Sequence, residues 1–292
     1  MFLSVFTPTY NRKKTLDRLY NSLCEQTCDD FEWIIVDDGS TDNTQELVNK
    51  WIEQRKIRII YYRQSNMGKP AAHNKGVELS NGNMFVCVDS DDYLRKDTVS
   101  MLQKTWGRII DTGCIGIIAF RVNPEGKSIT RIDNNDIVRT TLRKAYKKYH
   151  LVGDTMLVYR SDIIKKYSFP IVAGEKFIPE SYLYNLLDQE GELYILRDGL
   201  YICEYLPDGY TNNVDRLLFN NYKSYILHIN SRLKLDDSFK DRLFDSIRYD
   251  AIMISHKEKK IVNKAVFPFL SLIGYVPAIL IYYKRYRRFR NG

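Results

Sequence analysis

The sequence predicts an α/β fold: a Rossmann-like, mostly parallel sheet flanked by helices, followed by a C-terminal helical extension. Three observations carry that expectation. Short apolar runs recur at 2–6, 31–36, 57–62 and 84–88. Segments with helical spacing lie between them, and each run ends in a polar cluster. Strands alternating with helical patterns at this spacing imply crossover units and parallel pairing. In such sheets ligands bind beyond the carboxyl ends of the strands.

The elements follow in order. The run at 2–6 stops at Thr7-Pro8, and residues 12–27 then place Leu16, Leu19, Tyr20 and Leu23 on one helical face. FEWIIV at 31–36 reads as a buried strand, DDGSTDN as a polar turn, and Leu47, Val48, Trp51 and Ile52 as the apolar face of a second helix. IRIIYY at 57–62 is a third strand, 63–69 a loop, 70–80 a helix, and MFVCV at 84–88 a strand that runs directly into DSDD. The region 97–215 gives a weaker pattern, with helices near 97–111 and 180–189 and strands at 115–120 and 155–159. Residues 216–260 read as helical, with Leu217, Leu218, Tyr222 and Tyr225 on one face.

Composition sets the class. A chain of 292 residues with 44% hydrophobic content buries a full core, enough for one large domain and an appendage. Forty-four Lys and Arg against 36 Asp and Glu give +8, which favours anionic partners without choosing among nucleotide, nucleic acid and acidic lipid. The five cysteines are scattered, with no CxxC and no zinc spacing, as expected in a reducing compartment. MFLSVFTPTY reads as a strand and not as a signal peptide, so export is not expected.

The stretch 265–283 holds nineteen residues without a charge and is followed by Lys284, Arg285, Arg287, Arg288 and Arg290. Its length reaches the lower limit for a membrane span. Pro268, Gly274 and Pro277 interrupt it, which disfavours a straight spanning helix. Three placements stay open: an interfacial or re-entrant anchor, a span, or packing on the protein's own core.

The strand ends carry the chemistry. Asp89-Ser90-Asp91 puts two carboxylates on one side of an extended segment, so that one can meet ribose hydroxyls and the other a divalent cation. A solvated acidic turn or helix cap is the plain structural alternative. Asp37 and Asp38 can accept from a base N–H or a ribose hydroxyl, although Asp-Gly is also ordinary turn chemistry. Thr7, Pro8, Thr9, Tyr10 and Asn11 present small polar groups and a ring able to stack on a base. Asn66, Gly68, Lys69 and Asn74 approach sugar or phosphate, yet Pro70 stands where a P-loop needs Ser or Thr, and no G-x-G-x-x-G occurs. Glu180, just after Pro179 at a helix start, is a candidate general base.

FTPTYNR, IIVDDGSTDNT, NMGKPAAHNKG and VDSDDY, in that order and spacing over residues 1–100, resemble the family 2 glycosyltransferases of GT-A fold. The resemblance implies that Asp38 reads the nucleobase, that Asp89 contacts ribose, that Asp91 holds Mn²⁺ or Mg²⁺, and that the anomeric centre inverts. It implies a nucleotide diphosphate sugar donor, UDP-linked, and a glycan or lipid-linked acceptor. The second half resembles bacterial members that build capsule, exopolysaccharide or teichoic-type polymers, where a Glu or Asp near this position is the base. Pro179-Glu180-Ser181 departs from the commoner E-D dipeptide, which leaves Glu175 and Asp154 as substitutes for Glu180. The Q-x-x-R-W motif of processive members is missing, so one addition per encounter is expected.

The implied organisation is a catalytic domain at 1–215 (nucleotide-sugar half 1–100, acceptor half 101–215), a helical extension at 216–264 and a membrane-associating tail at 265–292. Such an enzyme would sit in the cytoplasm, peripheral at the inner face of the cell membrane, with an anionic membrane surface as partner and no nucleic acid. Two other readings fit the sequence less well. A sugar-1-phosphate nucleotidyltransferase needs a glycine-rich basic N-terminal loop that FTPTYNR lacks. A non-catalytic basic module for membrane or nucleic acid, on a degenerate fold, is disfavoured by the intact Asp-Ser-Asp.

Overall fold

The computed structural model describes residues 1–134, 136–204, 214–235 and 238–289. Part of the expected acceptor half (205–213) and the end of the expected tail, Arg290 included, therefore lie outside the described residues. The chain divides into two compact units, Met1–Ser168 with Leu186–Tyr205, and Phe169–Asn185 with Leu206–Gly292.

The order of elements is β1 (Leu3–Thr9), α1 (Lys13–Cys24), β2 (Phe31–Asp37), α2 (Thr44–Gln54), β3 (Ile59–Arg63), α3 (Lys69–Leu79), β4 (Met84–Cys87), β5 (Tyr93–Leu94) and α4 (Thr98–Ile109). There follow β6 (Gly116–Val122), β7 (Arg139–Thr140), α5 (Leu142–Lys148), β8 (Thr155–Arg160), α6 (Ser161–Ile164), α7 (Ser181–Leu187) and β9 (Leu193–Ile202). The chain then continues as helices: α8 (Val214–Asn220), α9 (Tyr222–Leu235), α10 (Phe239–Ser255), α11 (Ile261–Lys264) and α12 (Pro268–Ile281).

In the first unit the strands form one sheet in the order β3-β2-β1-β4-β8-β6-β9-β5, with β7 added on β9. β3, β2, β1 and β4 are all parallel. The expected parallel character belongs to this half, because β8 enters antiparallel between β4 and β6. Two antiparallel steps restore the direction, so β6 runs with β4, and β9 pairs parallel to β6. The carboxyl ends of β1, β2, β4, β6 and β9 and the amino end of β8 thus share one edge of the sheet.

Local sequence explains the layers. β2 is buried along its whole length, as expected of a parallel strand covered on both faces. On one side α1 buries Leu16, Leu19, Tyr20 and Leu23. Tyr20 stacks on Trp51 of α2 at 4.3 Å between ring centroids, and Trp51 lies 5.7 Å from Trp33 of β2. The Trp33 indole N–H donates to the Thr7 hydroxyl at 2.9 Å, which ties the end of β1 to β2 beneath the polar edge. On the other side α3 lies against Phe6, whose ring meets His73 edge-on. Burial holds the His73 pKa down to about 3, with Lys69 adding to the drop, so the ring packs as a neutral group.

The second unit has its own core. Tyr225, Ile229 and Leu233 of α9 pack with Ile247, Ala251 and Ile252 of α10 and with Ala278 of α12. Glu175 accepts from the Lys223 and Ser224 amides at 3.0 and 2.7 Å and so caps α9. Asn221 accepts in return from the amides of Lys176 and Phe177. The nineteen-residue uncharged stretch contains a helix of 14 residues with Pro268 in its first turn and Pro277 inside it. Among the described residues no helix is long and apolar enough to cross a membrane.

Candidate functional site

The edge where the strands end gathers two of the clusters read from sequence around one acidic loop. After β4, Val88 continues the ladder through its amide to Phe6 O, and Asp89 to Asp92 form a tight turn closed by the Asp92 amide on the Asp89 carbonyl at 3.1 Å. Lys69, the first residue of α3, donates to Asp89 Oδ1 at 2.6 Å. Burial alone would push the Asp89 carboxyl upward, but the Lys69 ammonium, then Arg121 and Arg12, outweigh it and hold the group below the usual carboxylate range.

Asp91 differs from its neighbour. Its side chain is half-buried, and the described ion-pair partner of its carboxylate is the Arg12 guanidinium at 3.9 Å. The Arg18 guanidinium donates to the Asp91 backbone oxygen, pairs with Glu204 at 3.4 Å and lies 4.8 Å from the Tyr93 ring centroid. The backbone is therefore fixed, while the partly exposed carboxylate keeps only the loose Arg12 contact.

The loop is also held from the second half of the sheet. Tyr201 on β9 is fully buried, and its hydroxyl accepts the Asp89 amide at 3.0 Å and donates to Asp92 Oδ2 at 2.7 Å. Arg121 on β6 is the register partner of Tyr201 and places its guanidinium 3.9 Å from that ring and 3.7 Å from Asp92 Oδ2. The register between β6 and β9 shifts around Phe120, a bulge of the kind that re-aims side chains at functional edges. Burial pushes the Asp92 carboxyl up to about 7; the Tyr201 hydroxyl and Arg121 oppose the rise and Asp89 adds to it. We expect Tyr201→Phe to cost about 1–3 kcal/mol, because it strands the Asp89 N–H and removes a donor from Asp92. Urea unfolding measures this, and an unchanged midpoint would exclude the hydroxyl as the support of the loop.

The second cluster surrounds Asp37 and Asp38. Asp37 accepts from the Ser40 amide at 2.7 Å and the Tyr61 hydroxyl at 2.7 Å. Asp38 accepts from Gln64 Nε2 and the Met67 amide, each at 2.8 Å, and from the Gly68 amide at 2.7 Å. Its carboxylate thus shapes the 64–68 loop that delivers Lys69. Gly68, with φ +90°, caps α3, and Gly39, with φ +83°, passes so near that loop that a Cβ would lie 3.1 Å from the Asn66 amide. Both positions need glycine.

Among the remaining sequence candidates, Asn11 is in the left-handed region at φ 53° and accepts from the Thr41 amide at 2.7 Å, while its own amide donates to Ser40. Thr7 is committed to Trp33, Pro8 is half-buried within β1, and Tyr10 is exposed beyond the strand. The buried Thr9 hydroxyl has no hydrogen-bond partner among the described residues. Ser90 is buried inside the acidic loop, and Asn66 and Asn74 are half-buried. Asp154 is exposed at the rim end of β8. Glu180 belongs to the second unit, exposed just before α7, with its carbonyl accepting from the Leu183 amide at 3.1 Å. Arg12, Arg18, Asp92, Arg121 and Tyr201 were not singled out from sequence; Asp92 stood in view within DSDD, and Arg121 follows the apolar run of β6.

The donor set suits a hard divalent cation bound partly by substrate. Among the described residues no group of three or more His, Cys, Asp or Glu side chains is arranged to hold a metal by itself. Mg²⁺-type sites usually pair one or two carboxylates with substrate phosphates, and the accessible Asp91 carboxylate fits that pattern.

Known proteins share both sequence and fold with the chain. Residues 4–168 match the model of the family described as Glycosyl transferase family 2. A chondroitin synthase of Pasteurella multocida is 34% identical over 128 residues, which is 44% of this chain and 13% of that protein. An abequosyltransferase of Salmonella typhimurium is 40% identical over 106 residues, covering 35% of this chain and 32% of the other. The chain thus matches less than a third of the length of these curated relatives. Among solved structures, Staphylococcus aureus TarS 1–349 in complex with UDP-GlcNAc superposes with a TM-score of 0.65 at 19% identity, covering 99% of this chain and 83% of that one. A mannosyltransferase from Pyrobaculum calidifontis in complex with GDP-Man and Mn²⁺ gives 0.56 at 17% identity, with the same two coverages. These likenesses identify the fold as GT-A.

Proposed function

The chain belongs to glycosyl transferase family 2, and from that premise we propose that it transfers a single sugar from a UDP-sugar to an acceptor hydroxyl, with inversion at the anomeric carbon. The acceptor is a lipid-linked glycan intermediate of cell-surface polysaccharide synthesis, met at the cytoplasmic face of the membrane. The observation that carries this reading is the acidic loop: two neighbouring carboxylates, one held tightly by Lys69 at 2.6 Å and one paired only loosely, with Arg12 at 3.9 Å. The nucleotide sugars bound in the two structural relatives support the donor class.

The roles follow from what each group still has to offer. Asp89 accepts the ribose hydroxyls with the oxygen that Lys69 leaves free, and Lys69 supplies positive charge beside the diphosphate. Asp38 spends three hydrogen bonds on its loop, and a carboxylate offers about four acceptor sites, so one remains for a base N–H. The Thr9 hydroxyl, without a partner among the described residues, and the ring of Tyr10 are available to the nucleotide at the same edge. Asp91 would hold Mn²⁺ or Mg²⁺, and when bound that ion neutralises charge building on the leaving diphosphate. Glu180 takes the acceptor proton.

Incubation with a panel of UDP- and GDP-sugars tests the reading. One UDP-sugar should be slowly hydrolysed with release of UDP only when Mn²⁺ or Mg²⁺ is present, and that donor should raise the melting temperature by mass action. At a hundredfold excess over Kd the stabilisation is about 2.7 kcal/mol. Absence of both responses across the panel would refute a transferase role.

A further inference from the structure

α12 reverses the usual placement of side-chain size. Its buried residues are Leu270, Ser271, Gly274 and Ala278, three of them small. Ser271 donates to the buried Asp250 of α10 at 2.6 Å, and a Cβ on Gly274 would lie 2.9 Å from Ile247. The small residues allow the helix to lie close on α10. The large apolar residues point the other way: Phe269, Leu272, Ile273, Val276 and Leu280 are between 46% and 69% exposed. At about 100° per residue these five fall within an arc of about 100°, opposite the packed side. A water-facing helix puts polar groups there, and a single contiguous apolar stripe marks an interaction surface.

The ends of the stripe define the partner. In the next turn Tyr283 is exposed and Arg287 lies 5.0 Å from its ring centroid. Lys284 and Arg288 are exposed as well; Arg288 keeps one guanidinium nitrogen 3.8 Å from Asp215, the carboxylate to which Arg285 is turned. Apolar side chains bordered by an exposed tyrosine and several cations match the hydrocarbon edge and headgroup zone of an anionic bilayer. The helix is about 21 Å long, short of the roughly 30 Å hydrocarbon core, so it lies along the membrane plane.

We propose that the outer face of α12, with Tyr283, Lys284, Arg287 and Arg288, is a monotopic docking surface for anionic lipid. The proposal rests on the reading above that the acceptor is met at a membrane, and it names the residues that hold the enzyme there. The test is sedimentation of the full chain with vesicles of phosphatidylcholine alone or with added phosphatidylglycerol. The wild type should pellet with the anionic vesicles and be released by salt, because the charge contribution is screened. Replacing Phe269, Val276 and Leu280 together by Ser should weaken binding by at least about a hundredfold. Replacing Lys284, Arg287 and Arg288 by Gln should weaken it about fivefold per charge and remove most of the salt dependence. Both variants should keep the UDP-sugar hydrolysis of the wild type, which also reports that they are folded.

A wild-type chain that stays in the supernatant with both vesicle types overturns the proposal, whatever the variants do. So does binding that the serine variant retains. Concentration-dependent dimerisation in light scattering that the serine replacements abolish, without vesicle binding, would instead make the stripe a contact between copies. If vesicles bind as expected but no donor is hydrolysed, the transferase reading fails and the lipid surface stands.

Discussion

Asp91→Asn is expected to lower metal-dependent sugar transfer by at least about 10³-fold, the loss of several kcal/mol of charge stabilisation. The substitution keeps the size of the side chain and exchanges a hard anionic ligand for an amide, which binds a divalent cation poorly. The surroundings favour a clean result. The backbone oxygen of Asp91 is held by Arg18, Asp89 stays paired with Lys69, and Asp92 stays bonded to Tyr201. None of these contacts uses the Asp91 carboxylate, so the variant should melt like the wild type. Calorimetry should show donor binding in the presence of Mn²⁺ reduced toward its metal-free value. Full activity with unchanged metal dependence would remove Asp91 from the cation.

What the sequence revealed of this site depended on how local the signal was. The acidic loop follows a short apolar strand whose carboxyl end is fixed by its own pattern, so Asp89 and Asp91 were legible from their neighbours. The supports of that loop come from far along the chain: Tyr201 stands 112 residues after Asp89. β9 carries a strand pattern that breaks in the middle, with Leu193 and Ile195 buried on alternate positions and then Leu200 and Tyr201 buried in succession. The bulge that aims Arg121 and Tyr201 at the loop is what destroys the two-residue period by which β9 would have been found. Asp38 shows a different limit. Its type and position suggested a group facing a ligand, but its three hydrogen bonds to the 64–68 loop depend on a turn whose shape no single residue announces. The tail was legible as apolar and basic. The inward placement of Ser271, Gly274 and Ala278 became visible only once α10 was beside them.

Glu180→Gln is expected to leave donor affinity unchanged and to lower transfer by about 10²–10⁴-fold, the usual range for a positioned general base. Gln keeps the length and the hydrogen-bonding geometry of Glu while losing the ability to take a proton from the acceptor hydroxyl. The second unit narrows the choice of residue. Both oxygens of Glu175 are engaged by the amides of Lys223 and Ser224 at the start of α9, so that carboxylate is occupied in holding a helix. Removing it would unsettle the fold before it touched catalysis. Glu180 is exposed at the entrance to α7, where its backbone carbonyl accepts from the Leu183 amide at 3.1 Å. Calorimetry of donor binding and transfer assayed on the same preparation separate the two effects. The loss should fall on kcat and kcat/KM together, because proton transfer is made only in the transition state. A selective rise in KM would mean that Glu180 binds substrate without acting as base. Unchanged transfer would pass the role to Asp154, the exposed carboxylate at the rim end of β8, and Asp154→Asn would then carry the 10²–10⁴-fold loss.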